Sequence, residues 1–316
     1  MDTRLRLLTL TCFALPHVSG HLFSSATRER FLIMASPSMS EIAYTQISRA
    51  GRAEPVRSLV VEGLRTPQGI AVDSRRGLLY VADPTLNALV RFDLQKSGSK
   101  LRATNMKTVV PFVETRWVSL DSAGNVYFTV ESLDLIMKVT IQEILAGGSV
   151  SPTVVYEGRQ ANLVAPGGIA MDNYHLFWVN KWAGSELGTL VRASKRPRED
   201  INAATSVVMA RRESKAYGVC LTGSKVFFTS ESEYLFSTPR GGRDPPVALS
   251  SNLGQPRGCV FDGDNRLYVA DKKKNAVYSF NAGSTGHTEV EATATLEAKF
   301  KGVFGVAIFD AMLNRE

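Results

Sequence analysis

The chain has 316 residues, a hydrophobic fraction of 44% and a formal net charge of +7 at neutral pH. This hydrophobic fraction is ordinary for a globular protein, and without a long polar tract it excludes an extensively disordered chain. The modest positive charge favours acidic partners through long-range attraction, although lysines scattered over loops are more typical of a solvated surface.

The first twenty residues resemble a targeting segment. Arg4 and Arg6 precede a short apolar run at 7–15, and small residues follow at 18–20. A basic start before a short apolar run is typical of a secretory signal, and the run is too brief to span a bilayer. We therefore predict a signal peptide at 1–20 and a mature protein, 21–316, that is secreted or enters the lumen of the secretory pathway. No later stretch is long or apolar enough to predict a membrane span.

One short pattern recurs along the rest of the chain. Residues 67–73 read PQGIAVD and lead through a turn to LLYVAD at 78–83, and a second clear copy lies at 255–271. Weaker copies lie between these two. The anchor residue of each copy lies at positions 69, 117, 168, 218, 258 and 305. A period of roughly 40–50 residues with several short strands per unit is typical of propeller blades.

Each repeat unit has the pattern of four antiparallel strands. β-Branched and aromatic residues alternate with others, which places one face of each strand in a core. Asp, Asn, Ser and Gly at 73–77, 121–125 and 262–265 predict tight turns between the first two strands. Third strands are predicted at 88–92 and 276–280, and outer fourth strands at 107–111 and 153–156.

Strands from the two ends of the chain are expected to form one blade together. Residues 305–309 resemble a first strand, but the printed sequence ends a few residues later, whereas 31–37 align without a gap on the second-strand segment 78–84. We therefore predict a composite blade formed by about 31–61 together with 303–310. Pairing the two ends removes an exposed sheet edge and closes the ring. The prediction is an all-β, six-bladed β-propeller that forms a single domain.

The pattern P-x-G-I-A-V-D followed by L-Y-V-A-D resembles NHL repeats and the wider group of six-bladed, TolB-like propellers, which includes the SMP-30/gluconolactonase-like superfamily. The resemblance covers nearly the whole chain after the first twenty or so residues. It implies the fold described above. It implies little about activity, because propellers host unrelated functions.

Two sets of polar side chains are expected at one mouth of the channel. The residue before each first strand and the residue that ends each second strand lie at the same edge of a blade, which we call the mouth face, and the innermost strands line the channel. We predict that the mouth face binds a ligand. The candidate binding residues are Gln68, Arg116, Tyr217, Arg257, Asp83, Glu131, Asn180, Glu231 and Asp271. Alternatively, Asp83 and Asp271 cap the backbone of the following loops.

Resemblance to gluconolactonase-like propellers implies a divalent cation in the channel, held by Asn or Asp just before the inner-strand glycine. In this chain the equivalent positions hold Gln68, Gly167, Tyr217 and Arg257. Hard cations need several convergent oxygen ligands, and glycine and arginine side chains supply none. We therefore expect no metal or other cofactor.

The alternative is an irregular oxygen site for a divalent cation such as calcium, formed by Asp83, Asn180 and Asp271. That site would make the protein a divergent metal-dependent esterase or lactonase of the gluconolactonase-like type.

The mature chain would keep two cysteines. Cys220 lies two positions after its motif glycine and Cys259 lies one position after its own, so their side chains should point to opposite faces of neighbouring inner strands. We therefore predict that they are small core residues and do not form a disulfide bond.

The leading hypothesis is a non-catalytic binding or scaffold propeller that engages a protein or peptide at the mouth face. Some NHL domains bind single-stranded RNA on a basic face, and this chain offers charge and stacking for it at Arg116, Arg257, Tyr217, Trp182 and Lys272–Lys274. A secretory start would place this protein where such RNA is rare, so we do not expect a nucleic-acid partner. We expect a monomer.

Overall fold

The fold was determined as a computed structural model. It describes the following residues: 29–47, 54–148, 150–182, 188–197, 206–212, 214–231, 233–242, 244–250, 252–283 and 292–311. The predicted signal peptide lies outside the described residues. None of the helices in these ranges combines the length and the apolar character needed to cross a membrane.

Twenty-four strands form six antiparallel sheets of four strands each, which confirms the predicted six-bladed propeller. Within each blade the strands follow one another from the channel outward. The composite blade contains β24 (Gly305–Ala311), β1 (Glu29–Ser36), β2 (Glu41–Gln46) and β3 (Arg57–Val60). Blade 1 contains β4 (Ile70–Asp73), β5 (Leu78–Asp83), β6 (Ala88–Ser97) and β7 (Lys100–Pro111). Blade 2 contains β8 (Thr115–Leu120), β9 (Val126–Val130), β10 (Leu135–Val139) and β11 (Thr153–Glu157).

The remaining three blades repeat this arrangement. Blade 3 contains β12 (Pro166–Met171), β13 (His175–Asn180), β14 (Gly188–Ser194) and β15 (Val207–Arg212). Blade 4 contains β16 (Ala216–Leu221), β17 (Lys225–Ser230), β18 (Leu235–Pro239) and β19 (Val247–Ser250). Blade 5 contains β20 (Pro256–Phe261), β21 (Arg266–Asp271), β22 (Ala276–Asn281) and β23 (Thr295–Lys299).

Helical structure in the described residues is limited to blade 2 and the connection that follows it. The one α-helix, α1 (Ile141–Ala146), joins β10 to β11, and its first residues are fixed by a capping box between Thr140 and Glu143. Short 3-10 turns lie at Glu131–Leu133 and Arg159–Ala161.

The two ends of the chain close the ring as predicted. Strand β1 pairs with β24 over seven residues, with Phe31 opposite Phe309 and Leu32 opposite Ile308. Next to this seam, Arg30 connects the composite blade to blade 5, because its Nη1 donates to the Asp262 carbonyl at 2.9 Å and lies 3.0 Å from the Asp262 carboxylate. The pairing covers the inner edge of β1, so the ring is tied by the backbone as well as by side chains.

The hydrophobic core is divided into six clusters, and each cluster fills the space between two neighbouring blades. Alternate residues of one strand therefore point to different neighbours. For example, Tyr80 packs toward blade 2, whereas Val81, the next residue of the same strand, packs toward the composite blade. This is the period-two alternation of the sequence expressed in three dimensions.

The prediction for the two mature cysteines was wrong, because Cys220 and Cys259 form a disulfide bond with a Cα–Cα distance of 5.8 Å. They point to opposite faces of their own sheets, as predicted. However, neighbouring blades pack face to face, so opposite faces of consecutive sheets are the ones that meet. Both cysteines lie in the cluster between blades 4 and 5. The bond therefore links the innermost strands of these two blades.

The motif glycines allow the inner strands to approach closely around the channel. A Cβ atom on Gly218 would lie 2.2 Å from the carbonyl oxygen of Arg257, and one on Gly305 would lie 2.0 Å from that of Gln68. Such contacts leave no room for any side chain, so glycine is required at these two positions.

Candidate functional site

The channel is a cavity of about 450 Å³ lined by the innermost strand of every blade. Its wall includes Ile70, Val118, Ile169 and both disulfide cysteines. Near the opposite face, meaning the face that carries the turns between first and second strands, it reaches Asp262 and Asp310. On the mouth side the lining stops one residue short of the motif glycines. None of the nine predicted binding residues lines this cavity.

Two aromatic side chains lie over the channel on the mouth side. In blade 2, Trp117 occupies the position that glycine has in the other blades, and its ring centroid lies 5.2 Å from that of Phe304. Both side chains are buried, in one apolar cluster with Ile169 and Tyr217. These residues come from blades 2, 3, 4 and the composite blade, so the cluster extends across the ring axis. The mouth face therefore presents a floor of aromatic side chains above the cavity.

One group of charged residues on this floor is paired. The Nζ of Lys181 lies 2.5 Å from the Glu131 carboxylate, and the Nε of Arg116 lies 2.6 Å from the same oxygen. Arg116 also pairs with Glu114. Burial lowers the pKa of Lys181 below its ordinary value, and the charges of Arg116 and Arg257 lower it further while Glu131 opposes the shift.

A second group, formed by Arg257, Tyr217 and Glu231, lies next to the first and is held by ring contacts rather than by ion pairs. The guanidinium carbon of Arg257 lies 3.8 Å from the centroid of the Tyr217 ring, and the Nζ of Lys181 lies 5.5 Å from that centroid. The Tyr217 hydroxyl is 3.4 Å from the Glu231 carboxylate. Burial lowers the pKa of Arg257 and raises that of Tyr217. The structure therefore brings Arg116, Glu131, Tyr217, Arg257 and Glu231 together on the mouth face.

Asp83, Asn180 and Asp271, which end the second strands, hold loops in place. Asp83 accepts hydrogen bonds from the backbone amides of Arg65 and Thr66, which precede blade 1, and from that of Leu86, which lies in the loop between β5 and β6. Asp271 does the same for residues 254, 255 and 274. Asn180 accepts from the amide of residue 164 at 3.1 Å and donates to the carbonyl of residue 162 at 2.8 Å. Asp83 and Asp271 therefore cap loop backbone, as in the alternative given above for these two aspartates. Each holds the loop before its blade and the loop that follows its own strand.

These hydrogen bonds bear on the proposed calcium site. All three side chains are almost completely buried, and their oxygens already accept hydrogen bonds from backbone amides, which a cation would have to displace. Within the described ranges, no three His, Cys, Asp or Glu side chains are arranged to hold a metal ion. Asp83, Asn180 and Asp271 therefore do not fit a divalent cation as they stand, and we derive no chemistry through one.

Gln68 contributes to the mouth mainly through its backbone. Its amide nitrogen donates to the Ala82 carbonyl at 2.9 Å, and its side-chain Oε1 is buried with no hydrogen-bond partner among the described residues. Nothing in its contacts joins it to the Arg116 or Arg257 groups.

Sequence reasoning missed Lys181, the residue that connects the two charged groups. It follows Asn180 directly, at the position that Glu131 and Glu231 occupy in their own blades. That repeat-equivalent position was the signal that could have identified it. Trp117 was aligned correctly with the motif glycines, but its contact with Phe304 joins residues that lie two blades apart.

Exposed apolar side chains are concentrated in the loops of the mouth face. Phe112, Leu133 and Trp182 are 94%, 64% and 43% exposed. Six of the twelve large apolar side chains that are exposed in the described residues lie in these loops: Met39, Val61, Phe112, Leu133, Trp182 and Tyr234. The connections on the opposite face carry two, Leu145 and Tyr174. Among the described residues, the mouth face is therefore the more apolar of the two.

No family model matches the sequence, and no curated protein matches it either. Solved structures with the same fold do match. A chain in the crystal structure of a nidogen/laminin complex has a TM-score of 0.68 at 14% identity, over 90% of this chain and 99% of that one. The gluconolactonase XC5397 from Xanthomonas campestris has a TM-score of 0.56 at 11% identity, over 76% and 78%. Regucalcin from Agrobacterium tumefaciens has a TM-score of 0.55 at 12% identity, over 76% and 77%. These similarities show the six-bladed fold alone.

Proposed function

We propose that the protein is a non-catalytic binding propeller that holds a protein or peptide partner on its mouth face. The observation that carries this proposal is the set of exposed apolar side chains around the floor formed by Trp117 and Phe304. Aromatic residues are enriched where proteins bind each other, and exposed apolar surface is costly unless something covers it. A ligand approaching this face would lie across it, since the cavity begins below the aromatic floor.

The neighbouring structures are compatible with this proposal but do not decide it. One of them belongs to a complex between two proteins, and another is a gluconolactonase. The same fold therefore serves both binding and catalysis. What favours binding in this chain is local, because Asp83, Asn180 and Asp271 hold loops together rather than presenting free oxygens.

We also place the protein in the lumen of the secretory pathway or outside the cell. The predicted signal peptide is one support for this location. The Cys220–Cys259 disulfide is a second and independent support, because structural disulfides persist mainly in oxidising compartments.

The proposal can be tested with a displayed library of random linear peptides selected on the wild-type protein. The affinity of selected peptides is then measured for the double variant Phe112→Ser/Trp182→Ser. We expect at least a tenfold loss, roughly the effect of removing one aromatic hot spot. The matched control is Tyr174→Ser, which removes an exposed aromatic ring from the opposite face.

Two results would contradict the proposal. One is a set of selected peptides that bind the double variant as tightly as the wild type. The other is loss of binding in Tyr174→Ser alone. A screen of ester and lactone hydrolysis tests the enzymatic alternative, which would gain support from turnover that requires Asp83, Asn180 and Asp271.

A further inference from the structure

Arg257 differs from the other buried basic residues of the described chain in having no acidic partner. It is 5% exposed, and no carboxylate oxygen of the described residues lies within 4.0 Å of its guanidinium. By contrast, Arg91, which is 9% exposed, pairs with Asp93, and Lys181, also 9% exposed, pairs with Glu131. A buried cation is destabilising unless its charge is compensated.

The donors of Arg257 are also mostly unused. A guanidinium has five N–H donors. Within the described chain, its side-chain hydrogen bond runs from Nη1 to the carbonyl of the preceding residue, Pro256, at 2.9 Å. The side chain is nevertheless held in place, because its guanidinium carbon lies 3.8 Å from the Tyr217 ring centroid and its own carbonyl accepts from Thr229 Oγ1 at 2.7 Å. The result is a fixed cationic fork with spare donors.

The acidic residues nearest to Arg257 are engaged elsewhere. Burial lowers the pKa of Arg257, and the negative charges of Glu231 and Asp271 oppose this shift. However, Asp271 is held by three backbone amides, and Glu231 lies 3.4 Å from the Tyr217 hydroxyl. On the other side, Lys181 adds a second cation beside the same Tyr217 ring. Two cations, Arg257 and Lys181, therefore flank the Tyr217 ring, and only Lys181 pairs directly with a carboxylate of the described residues.

We infer that Arg257, with Tyr217 and Lys181, forms a binding site for a single carboxylate group of the partner. The planar fork of arginine matches a carboxylate, which can accept two parallel hydrogen bonds from it. A dianionic phosphate fits less well, because Glu131 and Glu231 border the site and would repel the second charge. This inference rests on the proposed function, since the carboxylate would belong to the bound protein or peptide.

The source of the carboxylate is either an acidic side chain or a free C-terminus, and three short probes separate them. Each is a pentapeptide of glycine and serine. The first is capped at both ends with a central glutamate, the second is identical with a central glutamine, and the third has no acidic side chain but a free C-terminal carboxylate. Binding to the full-length protein is titrated by ligand-observed saturation-transfer NMR at fixed ionic strength, because weak charge contacts depend on salt.

The main variant is Arg257→Met, which keeps the unbranched bulk over Tyr217 and removes the charge. Hydrogen bonds to a charged group are stronger than those between neutral groups, so binding of the preferred carboxylate probe should weaken by about 10- to 100-fold. The matched control is Arg212→Met. Arg212 also stacks on an aromatic ring, 4.2 Å from the Phe236 centroid, and also donates to a carbonyl, that of Pro246, but it lies in the outermost strand β15.

A second variant should strengthen binding of the carboxylate probe rather than weaken it. Glu231→Gln removes the negative charge that competes with the incoming carboxylate, so the same probe should bind about two- to fivefold more tightly. This variant also keeps the inference testable if Arg257→Met does not fold. Preference for the glutamate probe would identify an acidic side chain as the source, and preference for the third probe would identify a C-terminus.

The inference is overturned if the glutamine probe binds as well as both carboxylate probes. It is also overturned if Arg257→Met and Arg212→Met bind alike, or if Glu231→Gln does not strengthen binding. None of these results would affect peptides that are selected through Phe112 and Trp182, so failure of the carboxylate site and failure of the proposed function remain distinguishable.

Discussion

The two faces of the propeller use the same repeat in different ways. On the opposite face, aspartates at the ends of the first strands cap the turns and each pairs with a cation. The pairs in the described residues are Asp73 with Arg76, Asp121 with Lys195, Asp172 with Arg240, and Asp262 with Arg30. On the mouth face, Lys181 and Arg116 share Glu131, and Arg257 has no carboxylate of the described chain within ion-pair distance.

This difference separates stability from binding. Where charges are paired and turns are capped, the charges stabilise the fold and offer little to a ligand. Where a buried cation lacks its partner and apolar side chains are exposed, the residues contribute less to stability and are the ones that the proposed function assigns to partner binding. Substitutions of comparable residues on the two faces should therefore affect different properties.

The largest expected effect is on the opposite face, at Arg30. Its side chain is 11% exposed and contacts the carboxylates of Asp262, Asp264 and Asp310. Arg30→Ala removes the cation that pairs with the Asp262 carboxylate, which is 5% exposed, beside the ring closure, and breaking a buried pair in this way costs about 3–5 kcal/mol. We expect this loss in the free energy of unfolding, measured in urea at neutral pH.

The matched comparison is Arg257→Met, in which a buried charge is replaced by an apolar side chain of similar length. Because Arg257 has no acidic partner to leave behind, the free energy of unfolding should change by less than about 1 kcal/mol or should rise. Equal losses in Arg30→Ala and Arg257→Met would remove the distinction between the two faces.

Breaking the disulfide tests the channel wall that lies between the faces. The Cys220–Cys259 bond closes a loop with a sequence separation of 39 residues, for which chain entropy gives about 4 kcal/mol as an upper estimate. Cys220→Ser/Cys259→Ser should lower the free energy of unfolding by about 2–4 kcal/mol. The mouth face should keep its affinity for selected peptides, and a parallel loss of affinity would show that the wall and the mouth are coupled.

The fold could be predicted from the sequence because its signals are local and repeated. Alternating strands, turn residues and the gap-free alignment of 31–37 on 78–84 each rest on a few neighbouring residues. The composite blade, with Phe31 opposite Phe309, follows from the same register argument.

Details that depend on how blades meet were harder to predict. The disulfide was missed because the alternation of side chains was considered within each sheet alone. Cys220 and Cys259 lie on the two facing sheets of blades 4 and 5, where they meet. Likewise, the repeat placed Arg257 and Tyr217 at one mouth but could not show that the first stacks on the second. The packing of consecutive blades determines which side chains stack on each other and which form ion pairs.

A smaller effect is expected at Asp83, which belongs to the mouth face but has a structural role. Asp83→Ala would leave the backbone amides of Arg65 and Thr66 without their acceptor, and each lost buried partner costs about 1–3 kcal/mol. We expect a loss of about 2 kcal/mol in the free energy of unfolding, measured in urea. Elemental analysis of the same samples provides the control. A stoichiometric divalent ion in the wild type that is absent from the variant would instead support the calcium site.

The smallest expected effect is the pH dependence of Lys181, whose burial destabilises the folded state at neutral pH, whereas Asp121 on the opposite face stabilises it. At Asp121, burial alone would raise the pKa, but hydrogen bonds from Asn125 and the charge of Lys195 outweigh it, so the pKa is lowered below 3.8. This stabilisation is present above pH 3.8 and is lost as the pH falls through the folded-state pKa. For Lys181, burial lowers the pKa below 10.5. Between the folded-state pKa and 10.5 only the unfolded state holds the proton, so stability should rise with pH.

The Lys181 contribution can be isolated by difference, because other groups also titrate at alkaline pH. Burial raises the pKa of Tyr80 and of Tyr127 to about 12, which contributes the opposite slope to every variant alike. The free energy of unfolding of the wild type, minus that of Lys181→Met, should therefore increase as the pH approaches 10.5. Lys181→Arg, which stays charged throughout, should show no such increase relative to Lys181→Met. Parallel pH profiles for the wild type and Lys181→Met would mean that the ion pair with Glu131 fully offsets the cost of burying Lys181. The contrast between the two faces would then rest on Arg257 alone.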